Sequence, residues 1–342
     1  MPPSVGIEQP TVQRFWTFDQ ETATDEHCPS RDHPSRWMSL SYPASHHRRE
    51  PMNTYDRTTL MTRPSTGSEP AGPTLVLGGT GKTGRRVAAR LAARGIPTRI
   101  GSRAGDPLFD WMDEATWAPV LRDSAAVYLS YYPDIAVPGA VEAIRTFTRL
   151  AAASGVLRIV LLSGRGEEEA QRAERVVQDS GIDWTIVRSS WFAQNFSESY
   201  LRDPILGGEV TLPVGDVGEP FIDADDLADV AVAALTGDSH AGQVYEVTGP
   251  RLLTFADAVA EIARATGREI RFVQVSPDEY AAALAAAGVP AEFVWLLDYL
   301  FTTVLDGRNA CLTDGVRRAL GREPRDFSDY ARDAAASGVW DR

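Results

Sequence analysis

From Thr74 onward the apolar residues fall into short runs and one-sided helical stretches that alternate along the chain. Thr74-Leu75-Val76-Leu77 is a short apolar run ending in glycine, as a buried parallel strand is. Arg85 to Arg94 then sets Val87, Ala88, Leu91 and Ala92 on one helical face and arginines on the other. The same pattern predicts strands at Thr98–Ser102, Ala125–Tyr131, Leu157–Ser163 and Trp184–Arg188. Helices are expected at Pro138–Ala153 and Glu168–Ser180, the second closed by Gly181. Strands alternating with helices imply an α/β fold, a Rossmann-type doubly wound parallel sheet.

Past His240 the texture changes. Val244–Thr248 gives one more strand, after which helical patterns dominate. Thr254 can cap a helix running to Ala265, and Ser276-Pro277-Asp278-Glu279 joins an N-cap, a first-turn proline and a glutamate three residues on. Residues 73–245 therefore read as a dinucleotide-binding domain, and 246–342 as a smaller, mostly helical C-terminal substrate-binding region. Residues 1–72 are polar, rich in Pro, Ser, Thr and Arg, and keep no period of 2 or 3.6. They read as a disordered tail or an over-extended start, since Met52 and Met61 both closely precede the first strand.

Charge narrows the partners. Of the net −13, residues 1–70 contribute little (nine acidic against seven basic), so the folded part holds nearly all of it. A body that acidic repels nucleic acid and anionic membrane; a small-molecule substrate and a monomer or homodimer are expected. Cys28 and Cys311 are too far apart in sequence to imply a disulfide framework or metal cluster, and His240 is the only histidine beyond residue 50. No metal is expected. No apolar run reaches the roughly 20 residues of a membrane span, and no secretory h-region is present, so a cytoplasmic location is expected.

Candidate chemistry concentrates at Gly78-Gly79-Thr80-Gly81-Lys82-Thr83-Gly84, between the first strand and the first helix. A pyrophosphate needs a tight turn, a close backbone approach and a helix N-terminus with free N–H groups; glycines at 78, 81 and 84 supply all three. Gly81-Lys82-Thr83 imitates the end of a P-loop, but that motif needs a glycine where Val76 stands. The second strand ends in Gly101-Ser102-Arg103 with no acid until Asp106. Ser102 and Arg103 suit a 2′-phosphate, so NADP(H) is preferred and NAD(H) possible. A Tyr-x-x-x-Lys acid pair is absent, because Lys82 is the only lysine and follows no tyrosine at that spacing. Two explanations stay open. The chain binds the dinucleotide as a sensor for a protein partner, or it reduces a substrate that needs little proton delivery: an iminium ion, a polarised C=C bond or a quinone.

Four segments carry a resemblance: Thr74–Gly84, Asp183–Arg188, Trp191-Phe192-x-x-Asn195-Phe196 and Phe221-Ile222-Asp223-x-x-Asp226-Leu227-Ala228. They resemble the NmrA-like branch of atypical short-chain dehydrogenases. Leu77–Thr83, Phe109-Asp110-Trp111-x-Asp113-Glu114-x-Thr116-Trp117 and Ala126–Leu129 are most similar to the agroclavine/festuclavine dehydrogenase family of ergot alkaloid biosynthesis and its bacterial relatives. That resemblance implies an NADPH-dependent reductase acting on an iminium or conjugated intermediate, in secondary metabolism. It also implies a catalytic position at Ser163, where the lack of a tyrosine partner leaves cofactor or substrate orientation as the role.

Candidate site residues follow from the carboxyl ends of the strands. Tyr128, Tyr131 and Tyr132 end one strand near the expected nicotinamide position, and Trp191, Phe192 and Asn195 follow another and can floor a flat substrate. The candidates for catalysis are Ser163, Tyr131 and Asn195. Glu167-Glu168-Glu169 reads as a solvated helix start in preference to an acid or an iminium counter-ion, and Asp226 as a helix cap and loop anchor.

Overall fold

The computed structural model describes residues 72–341. The expectations for the N-terminal tail, Cys28 and the early histidines lie outside them. The chain runs β1 (Thr74–Leu77), α1 (Lys82–Ala93), β2 (Thr98–Gly101), α2 (Trp117–Leu121), β3 (Ala126–Leu129), α3 (Ala140–Ala153), β4 (Arg158–Gly164), α4 (Glu168–Gln178) and β5 (Asp183–Ser189). It continues through α5 (Asn195–Glu198), α6 (Arg202–Gly207), β6 (Glu209–Leu212), α7 (Ala224–Thr236), β7 (Gln243–Val247), α8 (Phe255–Thr266) and β8 (Arg271–Gln274). It closes with α9 (Pro277–Ala286), α10 (Ala291–Tyr299), a π-helical turn (Leu300–Val304), α11 (Gly315–Leu320) and α12 (Phe327–Ala336).

Six parallel strands form the main sheet in the order β2-β1-β3-β4-β5-β7. The order reverses between β1 and β3, which is where doubly wound sheets open a crevice for ligands. Alternate residues of each strand serve two cores. Leu75, Leu77, Val127, Leu129, Ile159 and Leu161 pack with Phe147 of α3 and Val177 of α4. Val76, Tyr128, Val160 and Val187 face the other side, toward Val87 and Leu91 of α1 and Leu227 and Val230 of α7. Burial on both faces explains why these strands read as continuous apolar runs.

A third core joins segments that the sequence reading kept apart. Phe196, Leu201, Val210 and Phe221 pack with Phe255, Phe301, Phe327 and Trp340. The segment between β5 and α7 thus packs with the C-terminal helices. β6 and β8 add a two-stranded parallel sheet there, which the sequence pattern did not announce. The two expected helix starts are present, each with a reciprocal capping box, at Thr254/Asp257 and Ser276/Glu279. Among the described residues no helix is long and apolar enough to cross a membrane.

Candidate active site

The glycine turn closes on itself by short contacts. Gly78 takes φ +63°, and its carbonyl accepts the Gly81 N–H at 2.8 Å. A Cβ on Gly84 would lie 2.2 Å from the same Gly78 oxygen, so the helix begins in contact with the turn only because Gly84 has no side chain. Gly81 is the N-cap of α1, makes no side-chain cap and is followed by no acid in the first turn. The first N–H groups of α1 thus point out of the turn with the positive end of the helix dipole behind them. This is a cradle fitted to a phosphate anion.

Charged groups flank the cradle on both sides. Lys82 donates to Asn195 Oδ1 at 2.9 Å, and burial draws its ammonium down to about 8 against the attraction of Glu198. Glu198 is itself held by Arg85 and Arg86. On the β2 side, the Arg103 guanidinium lies 5.6 Å over the Tyr132 ring, so the ends of β2 and β3 meet across β1.

The structure separates the expected site residues. Tyr128 is fully buried among the α1- and α7-facing apolar side chains, its hydroxyl beside Thr83 without a well-formed hydrogen bond. Odd residues of β3 face one core and even residues the other, and Tyr128 falls on the side covered by α1 and α7. Ser163 is likewise enclosed, and its hydroxyl donates to Glu174 of α4 at 2.6 Å; it is a strut beneath the sheet and does not face the crevice. Phe192 is half-buried, packs with the α7 core and bridges to Ile222. Trp191 sits in the third core, 5.3 Å from Phe255 and 5.1 Å from Phe301 between ring centroids. Asn195 accepts from Lys82 through Oδ1. Tyr131, 4.8 Å from Trp111 between centroids, and the exposed Tyr132 stay at the carboxyl edge of the sheet.

Two acids depart from their expected roles. Asp223, not Asp226, caps α7 by accepting the Asp225 N–H. Asp226 is fully buried, pairs with Arg322 at 2.7 Å and accepts the Arg325 N–H at 2.6 Å, which ties the C-terminal segment to α7. Glu167 is not solvated. It is 6% exposed, and burial with Asp134 nearby holds its carboxyl well above the usual range. Glu168, the next residue, is exposed as expected.

Sequence reasoning passed over Asp134, Tyr299 and Glu219. Their signal is weak: single polar residues outside any glycine-rich spacing. Glu219 is buried, accepts the Trp191 N–H at 3.1 Å through Oε1, and is pushed up to about 7 by burial. The native state therefore keeps a proton that the unfolded chain has released, and stability falls as pH rises from about 4.5 to about 7. Replacing Glu219 with Gln is expected to leave melting unchanged near pH 4 and to stabilise the protein above pH 7, by roughly 3 kcal/mol from linkage. Thermal melts across pH 4–8 read this out; an offset that does not change with pH would disprove it.

Among the described residues no group of three metal-ligating side chains occurs. A cleft of about 720 Å³ beside β7, lined by Arg188, Glu246, Thr313 and Arg318, lies at the sheet's far edge and not at the glycine turn.

Known proteins share this chain's family and fold. A sequence family described as NAD(P)H-binding matches residues 78–238. The uncharacterized oxidoreductase YesF of Bacillus subtilis is 32% identical over 279 residues, covering 78% of this chain and 96% of its own. Agroclavine dehydrogenase of Claviceps fusiformis is 32% identical over 289 residues, covering 78% and 98%. The crystal structure of an NADPH-dependent quinone oxidoreductase from Escherichia coli, complexed with NADPH, superposes with a TM-score of 0.61 at 22% identity. It covers 76% of this chain and 99% of that one, and so shares the fold.

Proposed function

We propose, from the premise that this chain belongs to the NmrA-like family of NAD(P)H-binding oxidoreductases, that it is an NADPH-dependent reductase of a flat conjugated small molecule, either an iminium ion or a conjugated C=C/C=O compound, in secondary metabolism. The observation that carries the reading is the Gly84–Gly78 contact, which leaves the α1 N–H groups open to a phosphate at the strand-order switch point. Gly78 to Gly84 would hold the pyrophosphate, with Lys82 able to exchange its bond to Asn195 for one to a phosphate oxygen. Ser102 and Arg103, at the end of β2, would take the 2′-phosphate. When bound, the dinucleotide supplies the hydride. The protein's part is to fix the acceptor against the carboxyl ends of β3 and β4, where Tyr131 and Tyr132 offer ring faces, and to exclude water from it.

The test is NADPH and NADH oxidation over a panel of cyclic iminium ions, enones and quinones. Turnover with preference for NADPH is expected. Tight NADP⁺ binding with no turnover on any acceptor would overturn the reading in favour of a sensor that holds a protein partner. In the same assay Arg103→Ala should raise the KM for NADPH by about 10–100-fold, the worth of one charge-assisted pair. The KM for NADH should change by less than about threefold, because NADH lacks the group that Arg103 would bind. Equal changes for the two cofactors would remove Arg103 from the 2′-phosphate site.

A further inference from the structure

We propose that Glu167 is the proton donor of this reductase, a buried carboxylic acid at the carboxyl end of β4 that stands in for the missing tyrosine–lysine pair. The inference rests on the reductase reading and narrows its substrate to the conjugated carbonyl class, because a ketone, enone or quinone oxygen must gain a proton and an iminium nitrogen need not.

The geometry is specific. β4 ends at Gly164, and the chain turns through Arg165 and Gly166 to Glu167, which occupies the N-cap position of α4. An N-cap acid ordinarily accepts from the first turn of its helix. Glu167 makes no such bond. Its carboxyl folds back over the strand end instead, so that a Cβ on Gly164 would lie 2.1 Å from Oε1. Oε2 is buried and has no hydrogen-bond partner. An unpartnered, desolvated carboxyl is costly as an anion and much less so as an acid.

The surroundings maintain that acid. Asp134 faces Glu167 from the segment after β3, the strand paired with β4, and its negative charge and burial both raise the Glu167 carboxyl. Asp134 is itself raised, chiefly by burial, and accepts the Ala136 N–H. From the C-terminal region Tyr299 feels the charge of both acids, and Arg308 lies beyond it, donating to the Gly166 carbonyl at 3.2 Å and paired with Asp306. On Glu167's own element, Glu168 and Glu169 turn to Arg172, while Arg165 turns to the carbonyls of Asn309 and Cys311. No cation among these forms an ion pair with Glu167. Tyr299 also stacks on the exposed Trp295, ring centroids 5.6 Å apart and planes 6° from parallel, which presents a flat aromatic face on α10 near the acid pair.

The step balances. The electrophilic carbon accepts a hydride from the reduced dinucleotide, forming a C–H bond. The π pair of the conjugated system moves onto oxygen as the Glu167 O–H bond breaks and the substrate O–H bond forms. Solvent then returns the proton to the carboxylate, with Asp134 disfavouring the doubly ionised pair. One hydride and one proton are consumed for each substrate reduced.

The test compares wild type, Glu167→Gln and Asp134→Asn in single turnovers of an enone, a quinone and a cyclic iminium ion, from pH 6 to 10. For the carbonyl acceptors, wild-type rates should be flat at neutral pH and fall about tenfold per unit above about pH 9. Glu167→Gln should lose about 100-fold or more at pH 7 and lose the alkaline limb, with a far smaller loss on the iminium ion. Asp134→Asn should move the limb to lower pH, because the carboxyl loses its repelling neighbour; a merely structural residue would not shift it. Melting of the ligand-free protein gives an independent readout. Wild type should lose stability relative to Glu167→Gln as pH rises from about 5 to about 9, since the folded state alone retains the proton. Enone turnover by Glu167→Gln at nearly the wild-type rate, with the limb in place, overturns the assignment while leaving the reductase reading intact. No wild-type turnover on any acceptor overturns both.

Discussion

Gly84→Ala is expected to weaken NADPH binding by at least about 100-fold while leaving the helical content of the protein unchanged. The added methyl would meet Gly78 O at 2.2 Å, Gly78 C at 2.6 Å and Gly79 Cα at 2.9 Å. All three are backbone atoms, so no flexible side chain can swing aside. Either α1 withdraws from the end of β1 or the turn opens, and in both cases the N–H groups lose their common focus. Two charge-assisted hydrogen bonds at about 1.5–3 kcal/mol each exceed the roughly 3 kcal/mol that a hundredfold loss requires. α1 itself should persist, because alanine favours helix over glycine and Val87 and Leu91 still anchor it to the sheet. Fluorescence titration with NADPH, alongside far-ultraviolet circular dichroism, measures both quantities. An unchanged dissociation constant would mean that the phosphate lies elsewhere.

Glu174→Ala should cost about 2–4 kcal/mol of stability, one neutral hydrogen bond from Ser163 plus a charge-assisted pair to Arg188. Glu174 is 3% exposed and lies on α4, a helix rich in charged residues. Its Oε1 accepts from Ser163 at 2.6 Å and from Arg188 Nε at 2.9 Å, while Oε2 accepts from Arg188 Nη2 at 2.5 Å. Arg188 goes on to Glu246 at 2.8 Å. One carboxylate thus joins β4, α4 and β5, and through Arg188 it reaches β7. Removal leaves the buried Ser163 hydroxyl without its acceptor and the Arg188 guanidinium with Glu246 as its remaining carboxylate. Urea unfolding gives the number, and Ser163→Ala serves as the comparison, since it removes only one arm at about 1 kcal/mol. A loss below 1 kcal/mol in Glu174→Ala would mean that the network is solvated in solution. The same comparison bears on function, because near-normal turnover in Ser163→Ala would fit the strut seen in the structure and not a catalytic serine.

The alternation of strand and helix, and the glycine turn between the first two elements, were legible without coordinates because each is a local property. Leu75 to Leu77 read as a buried strand because both faces of a parallel sheet are covered. The capping boxes at Thr254 and Ser276 close within four residues and need no tertiary partner. Elements that depend on distant partners were not legible in the same way. β6 exists by pairing with β8, some sixty residues later, and neither has a decisive pattern of its own. Phe109, Trp111 and Trp117, prominent in the family resemblance, form an aromatic core with Phe147 of α3, whose place under them no local rule supplies.

A parallel α/β sheet, a glycine turn ahead of the first helix and the lack of a tyrosine–lysine pair were legible in the chain itself, because periodicity, glycine spacing and residue absence can all be read along one line. The tertiary structure alone decided which polar side chains are in water. Glu167, Glu168 and Glu169 are consecutive and identical, yet the first is folded over the end of β4 and the next is exposed. Ser163 and Tyr128 stand near strand ends, yet neighbouring helices cover both. Ionisation and reactivity follow from desolvation and from the nearest charges, and both are set by residues far away in the chain.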